Sequence, residues 1–370
     1  MNVRMFDLRV KDQNIRKELN KNFKRILDHG IFFFGPELEK FEKKMSKFLK
    51  MKYTLGVSSG SSALYLALKS LGIKRGDEVI TSPYSWVITS NAIVECGATP
   101  VFIDVKDDYN LDADLIIEKI TSKTKAIVPM HWAGHMCEME KIKKIAKKYK
   151  LFVVEDAAQA FGAEYKKKKS GSFSDVAAFS MNPMKPFNGY GEGGLIATNS
   201  KKIYEKIKIL RYAGTTSDIN KKITNNCLEV SLNHKMDTIN AAMLLASFKF
   251  FKKKVNKLKK VKKFYDENLH PSIKRVKIDK FEISGMYAYP IQVNKRDKIK
   301  KYLDKKNIET KIVYDPIISE APAYKKFNKN NTPNAKIILS KTLNIPIHEK
   351  LTKKELKYAV DNINYSVKNL

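Results

Sequence analysis

The residues best suited to chemistry stand just past the ends of apolar runs. Lys185 follows Val176-Ala177-Ala178-Phe179-Ser180 and leads through Pro186 into a loop rich in Gly and Asn. Asp156 and Gln159 follow Leu151-Phe152-Val153-Val154. Unbroken apolar runs of this length predict strands covered on both faces, as in a parallel sheet. The carboxyl ends of such strands are where open α/β sheets bind ligands. A lysine becomes a nucleophile when desolvation or a cationic neighbour leaves part of it neutral. Schiff-base formation with a carbonyl cofactor such as pyridoxal phosphate (PLP) is the main use of such a lysine. An aspartate on the pyridinium nitrogen would keep it protonated and let the ring act as an electron sink. Taken alone, Lys185 is more simply one exposed lysine among many; its surroundings carry the case.

A third element could hold a phosphate. The strand-like Tyr53-Thr54-Leu55-Gly56-Val57 runs into Ser58-Ser59-Gly60-Ser61-Ser62, and a helix opens at Ala63. Free amides, hydroxyls and the positive end of the helix dipole converge at such a turn. An ordinary serine N-cap would use the same residues. Trp86 and His131 also fall just past strand ends. Either could offer the aromatic face on which a planar cofactor stacks, and either could simply be packing.

These residues need a scaffold, and the chain alternates strands with helices of ten to fifteen residues. Helices are predicted from Asn14 to His29 and from Glu37 to Lys50, and strands at 78–81, 99–104 and 126–131. That alternation predicts βαβ units, hence an α/β protein with a large three-layer domain around a mostly parallel mixed sheet. Past residue 200 two further helices are predicted, Thr238 to Phe250 and Phe251 to Leu269, then shorter segments and a final helix from Lys353. We therefore expect a large domain over 1–250 and a smaller C-terminal α+β domain over 251–370.

The formal charge is +32, which invites a nucleic-acid partner, but only eight of the 71 basic residues are arginine and none cluster. Phosphate and guanine recognition favour arginine, so the lysines read as solvated helix faces and no nucleic-acid partner is expected. The positive field would still steer an anionic small-molecule substrate. Cys96, Cys137 and Cys227 lie far apart, which predicts neither a disulfide framework nor a metal site. No apolar run approaches the roughly 18 residues of a membrane span, so no membrane insertion and a cytoplasmic protein are expected.

The ordered landmarks resemble the DegT/DnrJ/EryC1/StrS family of sugar aminotransferases, of the aspartate aminotransferase (PLP fold type I) architecture. They run nearly end to end: Gly76-Asp77-Glu78-Val79-Ile80, Gly97-Ala98-Thr99-Pro100-Val101-Phe102-Ile103-Asp104, Glu155-Asp156-Ala157-Ala158-Gln159, Lys185 to Gly194, Asn233 and Leu343-Asn344-Ile345-Pro346-Ile347-His348. The resemblance implies that Lys185 bonds covalently to PLP and carries the proton. It implies that Asp156 pairs with the ring nitrogen, Gln159 reaches the ring hydroxyl and Trp86 stacks. Gly60, Ser61 and Ser180 would hold the phosphate, with Asn233 reaching it from the partner of a homodimer. His131, Tyr190 and Tyr314 are the expected substrate contacts. L-Glutamate would be the amino donor, and a keto-sugar nucleotide for a polysaccharide or glycoconjugate the acceptor. Two departures bear on the acceptor. Lys235 stands where members commonly carry arginine, and Tyr314-Asp315-Pro316-Ile317-Ile318-Ser319-Glu320 lacks the histidine often found there. A small phosphorylated ketone or aldehyde is the alternative acceptor. A PLP-dependent dehydratase, in which the lysine is replaced, or a non-enzymatic regulator stands further off.

Overall fold

The computed structural model describes residues 1–220, 222, 224–276 and 282–370. Its strands, in chain order, are β1 (Tyr53–Val57), β2 (Glu78–Thr81), β3 (Thr99–Phe102), β4 (Thr124–Val128), β5 (Phe152–Asp156), β6 (Glu164–Tyr165), β7 (Lys168–Lys169), β8 (Val176–Ser180), β9 (Gly194–Thr198), β10 (Lys274–Arg275), β11 (Glu282–Ile283), β12 (Tyr289–Gln292) and β13 (Thr342–Ile345). The main sheet has the order β1-β9-β8-β5-β4-β2-β3. All strands run in one direction except β9, which pairs antiparallel with both β1 and β8.

Both faces of this sheet are covered, which is why its strands are apolar throughout. Ile80, Ile127, Val153 and Ala177 point into one core with Phe41, Met45, Ile142 and Phe161. Their chain neighbours Val79, Ala126, Val154 and Val176 point into a second core with Leu64, Leu68, Ile93 and Leu210. Successive side chains of a strand face opposite ways, so each strand feeds both cores. The expected three-layer architecture is the one found.

Two features shift the division expected at 250/251. The helices predicted on either side of that point are one 31-residue helix, Thr238–Asn268, capped by Asp237. Neither Gly nor Pro interrupts it, so nothing stops the helix between Phe250 and Phe251. Its first part packs on helices Gln13–His29 and Pro36–Leu49, and the C-terminal helix Lys353–Asn369 also packs on it. The first residues also leave the large unit. Val3 is fully buried with Leu258, Tyr265, Ile291, Leu303 and Ile345 in the core of the small sheet β10-β12-β13, and its N–H donates to the Asn307 carbonyl at 2.9 Å.

A third sheet, β11-β6-β7, ties the C-terminal region back to the large one. From it the segment Ser284–Ala288 crosses the carboxyl edge of the main sheet. The Gly285 N–H donates to the Gly134 carbonyl at 2.8 Å. The backbones approach closely enough that a Cβ on Gly285 would sit 2.9 Å from the Ala160 Cα. Only glycine fits there, and the crossing delivers Tyr287 to the site.

Candidate active site

Asp156 ends β5 at the carboxyl edge of the sheet and is almost fully buried. Its Oδ2 accepts the Thr89 hydroxyl at 2.7 Å, and Oδ1 accepts the Ala158 amide at 3.2 Å. Thr89 has one proton to give, so Ser85, 2.6 Å from Thr89 Oγ1, is the donor in that pair. Burial raises the Asp156 pKa, and the Thr89 bond works against that rise. Among the described residues no cation forms a direct ion pair with this carboxylate, though Lys185 acts on it from nearby, and a ring N–H⁺ would supply such a partner.

Lys185 lies on the loop after β8, half-buried, with its ammonium 4.3 Å from the centre of the Tyr287 ring. That contact holds a cation against an aromatic face. Lys185, Asp156, Gln159, Trp86, Ser180 and Tyr314 line one cavity of about 720 Å³. Gln159 is pinned at both ends: its carbonyl accepts the Ala133 amide at 2.8 Å, and its Nε2 donates to the Tyr314 hydroxyl at 2.5 Å. Tyr314 adopts a positive φ of 63°, a strained backbone kept where the surroundings demand it. Burial drives its pKa well up, so it stays a neutral phenol.

The serine turn is built to hold an anion. Ser59 caps the helix Gly60–Ser70: its hydroxyl accepts the Ser62 amide at 3.1 Å, and its carbonyl takes the Ala63 amide at 3.0 Å. The Gly60 and Ser61 amides are left without an acceptor among the described residues. Ser180, on β8, stands directly against them, and a Cβ on Gly60 would lie 2.7 Å from the Ser180 Cβ. Two free amides, two hydroxyls and a helix start fit a phosphate group; with the desolvated Asp156 and nearby Lys185 they fit PLP. Gly60→Ala would set a Cβ 2.7 Å from the Ser180 Cβ and so push Ser180 out of place. We expect about tenfold weaker PLP binding, read by absorbance titration of the apo protein, with the fold kept by far-UV circular dichroism. Unchanged affinity would mean that this turn does not hold the phosphate.

Three expected contacts are placed elsewhere. His131 does not face the cavity. It is fully buried, with Nε2 2.9 Å from Glu155 Oε2, while Nδ1 accepts the Cys137 amide at 3.3 Å. That amide fixes the proton on Nε2. Burial pushes the Glu155 pKa up, but its donors, His131 foremost, more than offset that and leave it lowered. His131 is thus outside the cavity lining and supports the sheet edge, its backbone N–H donating to the Asp156 carbonyl at 3.1 Å. Tyr190 is 41% exposed and lines an adjoining groove instead of the cavity. Asn233 is exposed, bridged through its backbone to Tyr212, and outside both. Lys235 lies over the rings of Tyr212 and Phe33 at 4.6 and 4.7 Å.

Sequence reasoning passed over Thr89, Trp132 and Tyr287. Trp132 is buried against both Tyr84 and Tyr109, with ring centroids 5.4 and 4.5 Å away, and lines the cavity. Its position one residue past His131 was the available signal. Tyr287 gave none, because it reaches Lys185 across about a hundred residues of chain.

The DegT/DnrJ/EryC1/StrS aminotransferase family matches residues 13–364. The chain is 33% identical over 364 residues to the dTDP-3-amino-3,6-dideoxy-alpha-D-galactopyranose transaminase of Aneurinibacillus thermoaerophilus, covering 98% of this chain and 99% of that one. It is similar to the crystal structure of a DegT DnrJ EryC1 StrS aminotransferase from Brucella abortus, at a TM-score of 0.93 and 26% identity over 99% of this chain and 100% of that one. It is also similar to ntda from Bacillus subtilis with bound cofactor PMP, at a TM-score of 0.92 and 27% identity over 100% of this chain and 86% of that one.

Proposed function

Since the chain belongs to the DegT/DnrJ/EryC1/StrS aminotransferase family, we propose that it is a PLP-dependent aminotransferase that moves an amino group from L-glutamate to a keto-sugar nucleotide for polysaccharide or glycoconjugate biosynthesis. The observation that carries this reading is the convergence of Lys185, Asp156 and the Gly60–Ser61–Ser180 turn on one cavity. The nucleotide-sugar name of the Aneurinibacillus relative supports the acceptor class.

PLP, when bound, supplies the electron sink that transamination needs. The chain's own residues do the rest. Asp156, held by Thr89 and Ala158, presents a desolvated carboxylate to the ring nitrogen. The Gly60 and Ser61 amides, with Ser180, would hold the phosphate. Gln159, locked by Ala133 and Tyr314, presents a fixed edge to the cavity. Trp86, 60% exposed on the cavity wall, is free to cover the ring. Lys185 would move a proton between its Nζ and the substrate carbon, and the Tyr287 ring gives its ammonium form a seat.

The site is completed in a homodimer. Leu228, Val230, Leu232 and Phe33 are 58, 82, 70 and 59% exposed around Asn233. An apolar surface this exposed is suited to a partner, and Asn233 would extend from it toward the partner's phosphate turn. Among the described residues no helix is long and apolar enough to cross a membrane, and the three cysteines are free. Free thiols support a reducing compartment, the cytoplasm.

An absorbance spectrum of the purified holoenzyme tests the reading. Glutamate is expected to bleach the visible cofactor band, and the correct keto-sugar nucleotide to restore it. A band that glutamate leaves untouched would overturn the donor; restoration by triose-phosphate-like ketones alone would replace the acceptor.

A further inference from the structure

A second hollow, of about 510 Å³, opens from the Lys185 cavity between the start of the chain and the long helix Thr238–Asn268. The two share Phe6, Met184, Lys185 and Tyr287 as a common wall. In this groove a half-buried lysine has no carboxylate within ion-pair distance among the described residues. Lys254 Nζ lies 2.6 Å from Asn188 Oδ1 and 3.4 Å from the Lys185 carbonyl oxygen, and among the described residues no carboxylate pairs with it. Burial lowers its pKa; Glu349 works against that fall and the Lys350 ammonium adds to it. Lys350 itself donates to the carbonyls of Asp7 and Arg9, both at 2.5 Å, and meets Glu349 only at 3.9 Å.

Three of the four acids on the groove wall are engaged elsewhere. Asp7 is held by Arg9 at 2.7 Å, Asp12 caps the helix Gln13–His29, and Glu355 accepts the Thr352 amide at 2.8 Å. Glu349 is the remaining acid on the wall, so the two lysines share a single carboxylate, which meets Lys350 at 3.9 Å. Burying an unpaired ammonium opposes folding, so a lysine kept there without a carboxylate of its own points to a ligand that brings the negative charge. Asn188 fixes the Lys254 side chain in that position, and its own Nδ2 is tied to the Gly189 carbonyl at 3.0 Å. The site is thus rigidly joined to the loop that carries Lys185.

We propose that this groove binds the phosphoryl anion of the amino acceptor, with Lys254 and Lys350 as its cationic contacts, while the ketone end of the same molecule lies in the Lys185 cavity. The inference rests on the aminotransferase reading for the ketone end; the anion site itself stands on the groove. A diphosphate suits two ammonium groups better than a single phosphate does, because it spreads its charge over both.

Calorimetric titration of the holoenzyme with UDP, dTDP, GDP, pyrophosphate and inorganic phosphate tests it, in the wild type, Lys254→Met and Lys254→Arg. We expect Lys254→Met to weaken binding about 10- to 100-fold and Lys254→Arg to restore most of it. The Tm of Lys254→Met should be no lower than wild type, which separates a ligand-binding lysine from a structural one. Wild-type binding that Lys254→Met leaves unchanged, or no binding of any of the five anions, overturns the site. Lys254-dependent binding of pyrophosphate, with nucleoside diphosphates bound no better, keeps the site and removes the nucleotide from the acceptor. A wild-type cofactor band unmoved by glutamate, beside Lys254-dependent anion binding, keeps the site and removes the donor.

Discussion

Lys185→Arg is expected to lower kcat by roughly 10⁴-fold or more, the scale of losing a positioned proton carrier together with its covalent role. Arginine keeps the charge and can lie against the Tyr287 ring, but its guanidinium is never neutral at working pH and cannot act as nucleophile or base. Lys185→Ala should lose as much, so the loss tracks the amine and not the charge. Steady-state turnover with glutamate and a keto-sugar nucleotide, alongside far-UV circular dichroism, separates loss of chemistry from loss of fold. Lys185 is half-buried and its described contacts are the Tyr287 ring and main-chain bonds, so both variants should fold. Full turnover in either would mean that Lys185 is one surface lysine among many.

Asp156→Asn is expected to reduce kcat by about 10²–10³-fold, the range for removing one preorganised charge from a site. The amide can still accept the Thr89 hydroxyl, so the packing survives while the negative charge facing the ring nitrogen is lost. Stability should move the other way. Burial raises the folded pKa of Asp156 above its unfolded value of 3.8. Below that value both states are protonated and burial adds no penalty. As pH rises past it the unfolded chain ionises first, and the folded state loses stability until Asp156 ionises too. At neutral pH the ligand-free Asn variant should thus be at least as stable as wild type by thermal melting, yet bind PLP more weakly. A variant that loses stability and keeps turnover would make Asp156 a structural carboxylate.

The apolar runs ending in Lys185 and Asp156 were readable because a parallel sheet covered on both faces leaves no other pattern for its strands. The serine turn could be read because strand, small polar turn and helix is itself a local geometry. These segments carry their own instructions: propensity, capping and period act over a few residues. The continuous helix Thr238–Asn268 was the local exception, since an apolar half followed by a lysine-rich half looks like two helices when only its packing partners change.

The fold class and the family were legible in the chain alone, and so were Lys185 and Asp156 as candidates for the chemistry. Which neighbours those groups have followed only from the three-dimensional packing. His131 and Trp132 are adjacent in the chain, yet the turn after β4 sends the histidine into the sheet edge against Glu155 and the tryptophan to the cavity. Tyr287 reaches Lys185, and Tyr314 reaches Gln159, only because the small unit folds back over the large one. Lys254 is one more lysine on a lysine-rich helix until the loop after Lys185 and the first residues of the chain close around it. Burial and electrostatic pairing depend on what surrounds a group in space, and residues far apart in the chain supply those surroundings.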